Sequence, residues 1–484
     1  MNRRGWLGVI AASIGLLAAM GRGPARAATQ DLVILHDNDI HGHLRDFCYV
    51  EVAKGPEEHC GTGGAARRAT LIRALKAKAN APVLLVDSGD TTTRGPLATE
   101  YEGVDEIEAM NAIGYDLAAL GNNEFKLKDA ADIKDAAGAQ AALAKLIRLS
   151  RFPWIGANVT DASGALLPGV KPFVVRRFGP VRVAFLGLTA PRSQSYPQTK
   201  GLKFTDPVAA ANIWVPRARA QADIVIAVTH IGVLDDRRLV NNTRGIDAVV
   251  GGDSHTYLYK PMEEKNLDGQ VIPIVQDGEF GVRLGEFALT FEGDSANGWR
   301  LAHYADQLIA VDASVKPDPA IAALVEHYAH PLDVRVGMVP VVGQTPAERN
   351  RLTAEDLALA WKGAAGTEIG LQPEGDLFES FRASEVTRFQ VHAIVPFHDT
   401  VWRGQITGAR LKEVLAKPSA LGGAMHATIA VADIDPAKTY TAATTDFVAD
   451  AVLSGGIDTG EDARKAAEAW LGANASLIGG ARPF

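Results

Sequence analysis

The sequence has no excess of positive charge: 49 lysines and arginines stand against 57 aspartates and glutamates, for a formal net charge of −8. That balance gives no bulk attraction to nucleic acid or to an anionic bilayer, so neither is expected as a partner of the mature chain. An anionic substrate would have to be held by local charge or by metal. After the first thirty residues no run is long and apolar enough to cross a membrane. Repeats and low-complexity tracts are absent too. Only two cysteines occur, Cys48 and Cys60, too few for a site built from thiolates alone. With 47% hydrophobic and 22% charged residues, the 484-residue chain is ordinary globular protein, which excludes disordered, collagen-like and coiled-coil classes. Its length predicts two to four domains, each able to bury a core.

The N-terminus reads as an address. Asn2-Arg3-Arg4 gives a basic start, residues 6–20 are mostly apolar, and Ala25-Arg26-Ala27 is an A-x-A cleavage signal. Residues 1–28 are therefore expected to be a signal peptide. Arg3-Arg4 leaves the twin-arginine and Sec routes both open. Either way the mature chain is expected in the periplasm or outside the cell. In such an oxidising compartment, Cys48 and Cys60 would clip the polar stretch 46–64, with two free thiols as the alternative.

From residue 31 to about 310, short apolar runs alternate with helical patterns. Residues 32–35, 83–86, 117–120, 181–188, 224–228 and 248–250 read as strands, and residues 64–78, 104–113 and a segment through Leu143, Leu146 and Ile147 as helices. Apolar strands alternating with helices predict a layered α/β domain over 29–311. Residues 312–339, with Lys316-Pro317-Asp318-Pro319 and a helical pattern, read as a linker helix. A smaller α+β region follows over 340–484, with helix patterns at 353–361, 407–415 and 463–471.

Chemistry-bearing residues gather just after these strands: His36-Asp37-Asn38-Asp39-Ile40-His41, Asp87-Ser88-Gly89-Asp90, Gly121-Asn122-Asn123-Glu124-Phe125, Thr229-His230 and Gly252-Asp253-Ser254-His255. Carboxyl ends of strands form the ligand crevice of α/β sheets, so five ends deliver carboxylate, imidazole and amide donors to one rim. A single such residue is usually structural. Five sets together point to a divalent metal centre, and seven candidate ligands suit two ions roughly 3.5–4 Å apart with a bridging carboxylate.

These motifs, with Gly63-Gly64-Ala65-Ala66-Arg67, resemble those of the secreted 5′-nucleotidases, calcineurin-like dinuclear metallophosphoesterases with a C-terminal substrate domain. The resemblance implies a β-sandwich/α metallophosphoesterase domain holding two divalent ions, Mn²⁺ first, with Zn²⁺, Mg²⁺ or Ca²⁺ as alternatives. It implies Asp39, His41 and His255 on one ion, Asn122, His230 and Asp253 on the other, and Asp90 bridging. The implied reaction is hydrolysis of a nucleotide phosphate ester by a water shared between the ions, in a monomer or dimer. In the second domain, Phe381-Arg382-Ala383 and Thr444-Thr445-Asp446-Phe447 resemble the substrate-binding motifs, giving Arg382 a substrate contact and Phe447 a base-stacking or core role.

Two motifs depart from the family. Asn123 and Lys126 stand where the family has a His and an Asp that steady the transition state or leaving group; the Asn123 amide can donate a hydrogen bond but cannot act as an acid. Asp253 stands where the family has a His, which makes the second position harder and more anionic. The departures keep open cyclic nucleotides, nucleotide sugars or sulfur esters as substrates, and a non-catalytic binding protein.

Overall fold

The computed structural model describes residues 28–50, 57–127, 136–294, 298–397, 399–417 and 423–474. The expected signal peptide lies outside these residues except for Ala28.

The apolar runs after residue 28 build two facing sheets. The first has seven strands in the order Gly298–Ala310, Arg283–Asp294, Ala28–Asp37, Val83–Asp87, Leu117–Ala119, Trp154–Ile155 and Val170–Lys171. From Ala28–Asp37 to Val170–Lys171 the neighbours are parallel. The second has six, in the order Met262–Lys265, Val271–Val275, Ala248–Val250, Ile224–His230, Val181–Thr189 and Phe173–Phe178, with its four middle strands parallel.

Side chains alternate between the two faces of a strand, and here both faces are dry. Leu32 and Ile34 point into the core between the sheets with Val86, Phe185, Ile226 and Phe287. Leu35 points the other way, into a helical layer with Ile72, Ile107, Met110 and Leu143. The outer face of the second sheet is covered in the same manner, with Leu186, Val215, Leu239 and Ile246 in one cluster. This double burial is why the strands read as continuous apolar runs. At roughly 1.5–3 kcal/mol for each large aliphatic or Phe side chain, it is the main force holding the layers together.

The interval 312–339 divides between the two units. Helix Pro319–Ala329 starts at Asp318, whose side chain accepts from the Ala320 and Ile321 amides, and buries Ile321, Val325 and Ala329 in the helical layer of the larger unit. Strand Arg335–Met338 instead pairs with Glu385–Thr387 of the smaller unit. That unit is a five-stranded sheet in the order Met425–Ala427, Ile369–Pro373, Thr439–Thr445, Thr400–Thr407 and Ser454–Asp462, backed by helices Pro346–Ala365 and Ala463–Ala473. Cys48 and Cys60 face each other across the hairpin of Phe47–Val50 and Glu58–Thr62 and are disulfide-bonded. No helix among the described residues is long and apolar enough to cross a membrane.

Candidate metal centre

Strands of both sheets end at one rim, and the loops leaving them carry the predicted ligands. Five of these, Asp39, His41, Asp90, Asp253 and His255, adopt positive φ, between 50° and 83°. For a residue with a Cβ that conformation costs of order 1–3 kcal/mol and persists only where the surroundings enforce it. The enforcing contacts run between loops. Asp39 and His41 donate their amides to the Gly89 and Asp90 carbonyls at 2.9 Å, and the Asp253 amide donates to Asp39 Oδ2 at 2.7 Å.

Asp39, His41 and His255 form one cluster of donor atoms, and Asp39, Asp90 and His230 another. His41 Nε2 and His255 Nε2 lie 3.2 Å apart, at 3.5 and 3.2 Å from Asp39 Oδ1. His230 Nε2 lies 3.1 Å from Asp90 Oδ2 and 3.8 Å from Asp39 Oδ1. Asp90 Oδ2 is also 3.9 Å from His41 Nε2, so the Asp90 carboxylate faces both clusters, as does Asp39. Asp39 Oδ1 and His230 Nε2 are buried without a hydrogen bond.

These atoms fit a hard or borderline divalent cation, and no cysteine sulfur is among them. The electrostatics agree. Burial alone would lower the pKa of His230, yet Asp90 and Asp39 outweigh it and raise the imidazole well above its ordinary value. Burial opposes charge on His255 as well, but Asp39 and Glu279 push its pKa up to about 10. The carboxylates call for positive charge at this point of the rim.

Other side chains aim the donors. His230 Nδ1 is 2.8 Å from the Ser88 carbonyl oxygen, and His255 Nδ1 is held by Glu279. Asn38 donates to Asp39 Oδ2 at 2.7 Å. Buried Glu124 accepts from the amides of Asp90, Thr91 and Gly121 at 2.8–2.9 Å, knitting two strand-end loops together. Asn123 donates to Asp90 twice, from its backbone amide at 2.7 Å and from its side chain at 2.5 Å.

The remaining predicted ligands are engaged differently. Asn122 Oδ1 accepts from Arg192 Nη2 at 2.8 Å, and the Asp253 carboxylate takes the Arg192 guanidinium through both of its oxygens. Arg192 was not among the residues expected here. It follows Thr189-Ala190-Pro191 at the end of strand Val181–Thr189, a sixth strand end on the same rim that carries no ligand-type residue. Lys126 is half-buried: its Nζ lies 4.1 Å from the centre of the Tyr196 ring, and burial, then Arg94 and Arg192, push its pKa down to about 8.

The two substrate residues expected in the smaller unit lie apart from these clusters in their contacts. Arg382 pairs with Glu58 at 2.7 Å and donates to the Cys48 carbonyl oxygen at 3.3 Å, so it is tied to the disulfide hairpin; Arg349 holds the other Glu58 oxygen at 2.5 Å. Phe447, in the first turn of helix Asp446–Val452, is 61% exposed, which removes the core-packing alternative.

Residues 32–257 match the calcineurin-like phosphoesterase family, and residues 351–432 match the 5′-nucleotidase C-terminal domain. The chain is 25% identical over 428 residues to the trifunctional nucleotide phosphoesterase protein YfkN of Bacillus subtilis, covering 81% of this chain and 28% of that protein. It is 29% identical over 340 residues to human 5′-nucleotidase, covering 66% of this chain and 56% of the relative. It thus spans from under a third to just over half of these relatives' lengths. The fold matches the structure of a 5′-nucleotidase precursor from Thermus thermophilus with a TM-score of 0.72 at 23% identity, over 92% of this chain and 97% of that one.

Proposed function

Because this chain belongs to the calcineurin-like phosphoesterases that carry a 5′-nucleotidase C-terminal domain, we propose that it is an exported, divalent-metal-dependent hydrolase of nucleotide phosphate esters. The observation that carries this reading is the convergence of Asp39, His41, Asp90, His230 and His255 into two groups that share Asp39, with their donor atoms turned toward each other. A divalent ion bound there, Mn²⁺ first among the candidates, would supply Lewis-acid polarisation of a phosphoryl oxygen and would acidify a water for attack on phosphorus.

The chain's own residues then have separable tasks. Asn38, Glu279 and the Ser88 carbonyl fix the rotamers and tautomers of the donors. Glu124 and Asn123 hold Asp90 in place. Asn123 has no proton to give a departing oxygen, and losing a general acid typically costs about 10²–10⁴-fold in rate. That favours substrates whose leaving group departs without protonation, such as activated diesters, over a plain nucleoside monophosphate. Phe447 offers an exposed ring for stacking on a base. Arg382 would contact substrate after leaving Glu58. Export is supported by the basic, apolar and A-x-A segments of residues 1–28 and by the Cys48–Cys60 disulfide.

The test is product release by the mature, Mn²⁺-loaded protein from AMP, a cyclic nucleotide, a nucleotide sugar and an activated diester. Turnover that disappears in Asp90→Ala is expected, fastest on the substrate with the best leaving group. Absence of turnover on every substrate, with metal verified in the sample, would contradict the hydrolase reading and favour a binding protein.

A further inference from the structure

We infer that Arg192 supplies from the chain itself the second positive charge of this centre, so that Asn122 and Asp253 hold a guanidinium where the family resemblance calls for a second metal ion. This presupposes the metal-centre reading above and deepens it.

A single nitrogen, Arg192 Nη2, donates to Asp253 Oδ1 and to Asn122 Oδ1 together. Nη1 donates to Asp253 Oδ2 at 2.6 Å. Asp253 Oδ1 is also the oxygen that lies 3.4 Å from His230 Nε2. The guanidinium nitrogen therefore sits between two of the oxygens expected on the second ion and beside the imidazole expected to share it.

The chemistry of position 253 explains why. A guanidinium is planar, permanently charged and donates two parallel hydrogen bonds, for which a carboxylate is the matching acceptor. A histidine at 253 would offer at most one lone pair and could not hold the fork. Asp253 in place of the family's His and Arg192 at the neighbouring strand end thus act as one unit. The carboxylate is fixed toward this partner: Asp253 sits at φ 83°, and its amide donates to Asp39 Oδ2 at 2.7 Å.

Arg192 takes Asn122 and Asp253 and leaves the other predicted donors grouped among themselves. The clusters of Asp39, His41 and His255 and of Asp39, Asp90 and His230 keep their donor atoms turned on each other, with Asp39 common to both. One ion placed among them and one guanidinium beside it would give the site two cations. The Arg192 side chain is 52% exposed, so it remains accessible to a phosphoryl oxygen of a bound ester.

The experiment is metal counting. Chelator-stripped mature protein is reloaded with excess Mn²⁺ and desalted, the metal is measured by mass spectrometry, and electron paramagnetic resonance reports whether ions are isolated or exchange-coupled. One Mn²⁺ per wild-type chain with the spectrum of an isolated ion is expected. Arg192→Met is expected to rise to two, with a coupled spectrum. Two coupled ions in the wild type would overturn the inference whatever the variant does, and a folded Arg192→Met that stays at one would overturn it as well. A wild type with one Mn²⁺ but no turnover on any ester would sink the hydrolase reading and support this one. Two coupled ions with turnover would do the reverse.

Discussion

His230 Nδ1 lies 2.8 Å from the carbonyl oxygen of Ser88, and because a carbonyl can only accept, the imidazole must carry its proton there. In the neutral ring, the form that can bind a cation, Nε2 is thereby the atom with the lone pair, buried and directed at Asp90 and Asp253. A backbone oxygen two residues before Asp90 thus sets the tautomer of a predicted ligand contributed by the opposite sheet. The two-sheet architecture serves the site in this way: each sheet aims the other's donors.

The same logic applies to His255, whose Nδ1 is held by Glu279, itself accepting from the Tyr49 hydroxyl at 2.7 Å. Glu279→Gln keeps the shape but removes the charge behind the imidazole. Mn²⁺ affinity is expected to fall by about 10–100-fold, measured by calorimetry on chelator-stripped protein. Unchanged affinity would remove His255 from the metal shell.

Asn123→His would return an acidic proton to the rim. Rates on esters with poor leaving groups are expected to rise, by up to about 10²–10⁴-fold, while activated esters change little. The ratio of AMP to p-nitrophenyl ester turnover reads this directly. An equal change on both would mean that position 123 acts only through Asp90.

Glu58 holds Arg382 and Arg349 against the disulfide hairpin. Glu58→Ala releases Arg382, and since partly exposed pairs are worth about 0.2–1 kcal/mol, KM for a nucleotide is expected to drop by roughly 1.5–5-fold with kcat little altered. A KM that does not move would assign Arg382 to joining the two units.

In the smaller unit, burial raises the pKa of Asp376 to about 6, with Gln372 opposing and Asp446 assisting. The folded state therefore keeps a proton that the unfolded chain has already released above its ordinary value of 3.8. Stability is full below that value and falls as pH rises to about 6. Asp376→Asn does not titrate, so it should be more stable than wild type at pH 7, by roughly 1–2 kcal/mol for a group that is only partly buried. The gain should vanish near pH 4. Denaturant unfolding at the two pH values checks it, and an equal gain at both would assign the effect to packing.

Much of this was legible in the sequence, for physical reasons. Strands buried on both faces must be apolar throughout, so residues 83–86 and 248–250 announced Val83–Asp87 and Ala248–Val250. The predicted ligands sit where those runs stop. The hairpin of Arg283–Asp294 and Gly298–Ala310 was not read, because its outer strand is partly or fully exposed along its length and lacks an apolar run. Helix Pro319–Ala329 was read as a linker because its pattern is short and Pro-flanked, whereas three of its residues belong to the larger unit's core. Arg192 went unread because Thr189-Ala190-Pro191-Arg192 resembles no ligand motif; only folding brings it to Asp253. Phe447 was open to a stacking or a core role, because a short helix such as Asp446–Val452 shows no periodicity that would say which face is exposed.

The most direct measurement is phosphate-ester turnover by chelator-stripped protein titrated with Mn²⁺, with Asp90→Ala alongside. Turnover that rises with bound metal in the wild type and stays at background in Asp90→Ala is the predicted result. Turnover that survives complete removal of metal, or that Asp90→Ala retains in full, would contradict the account.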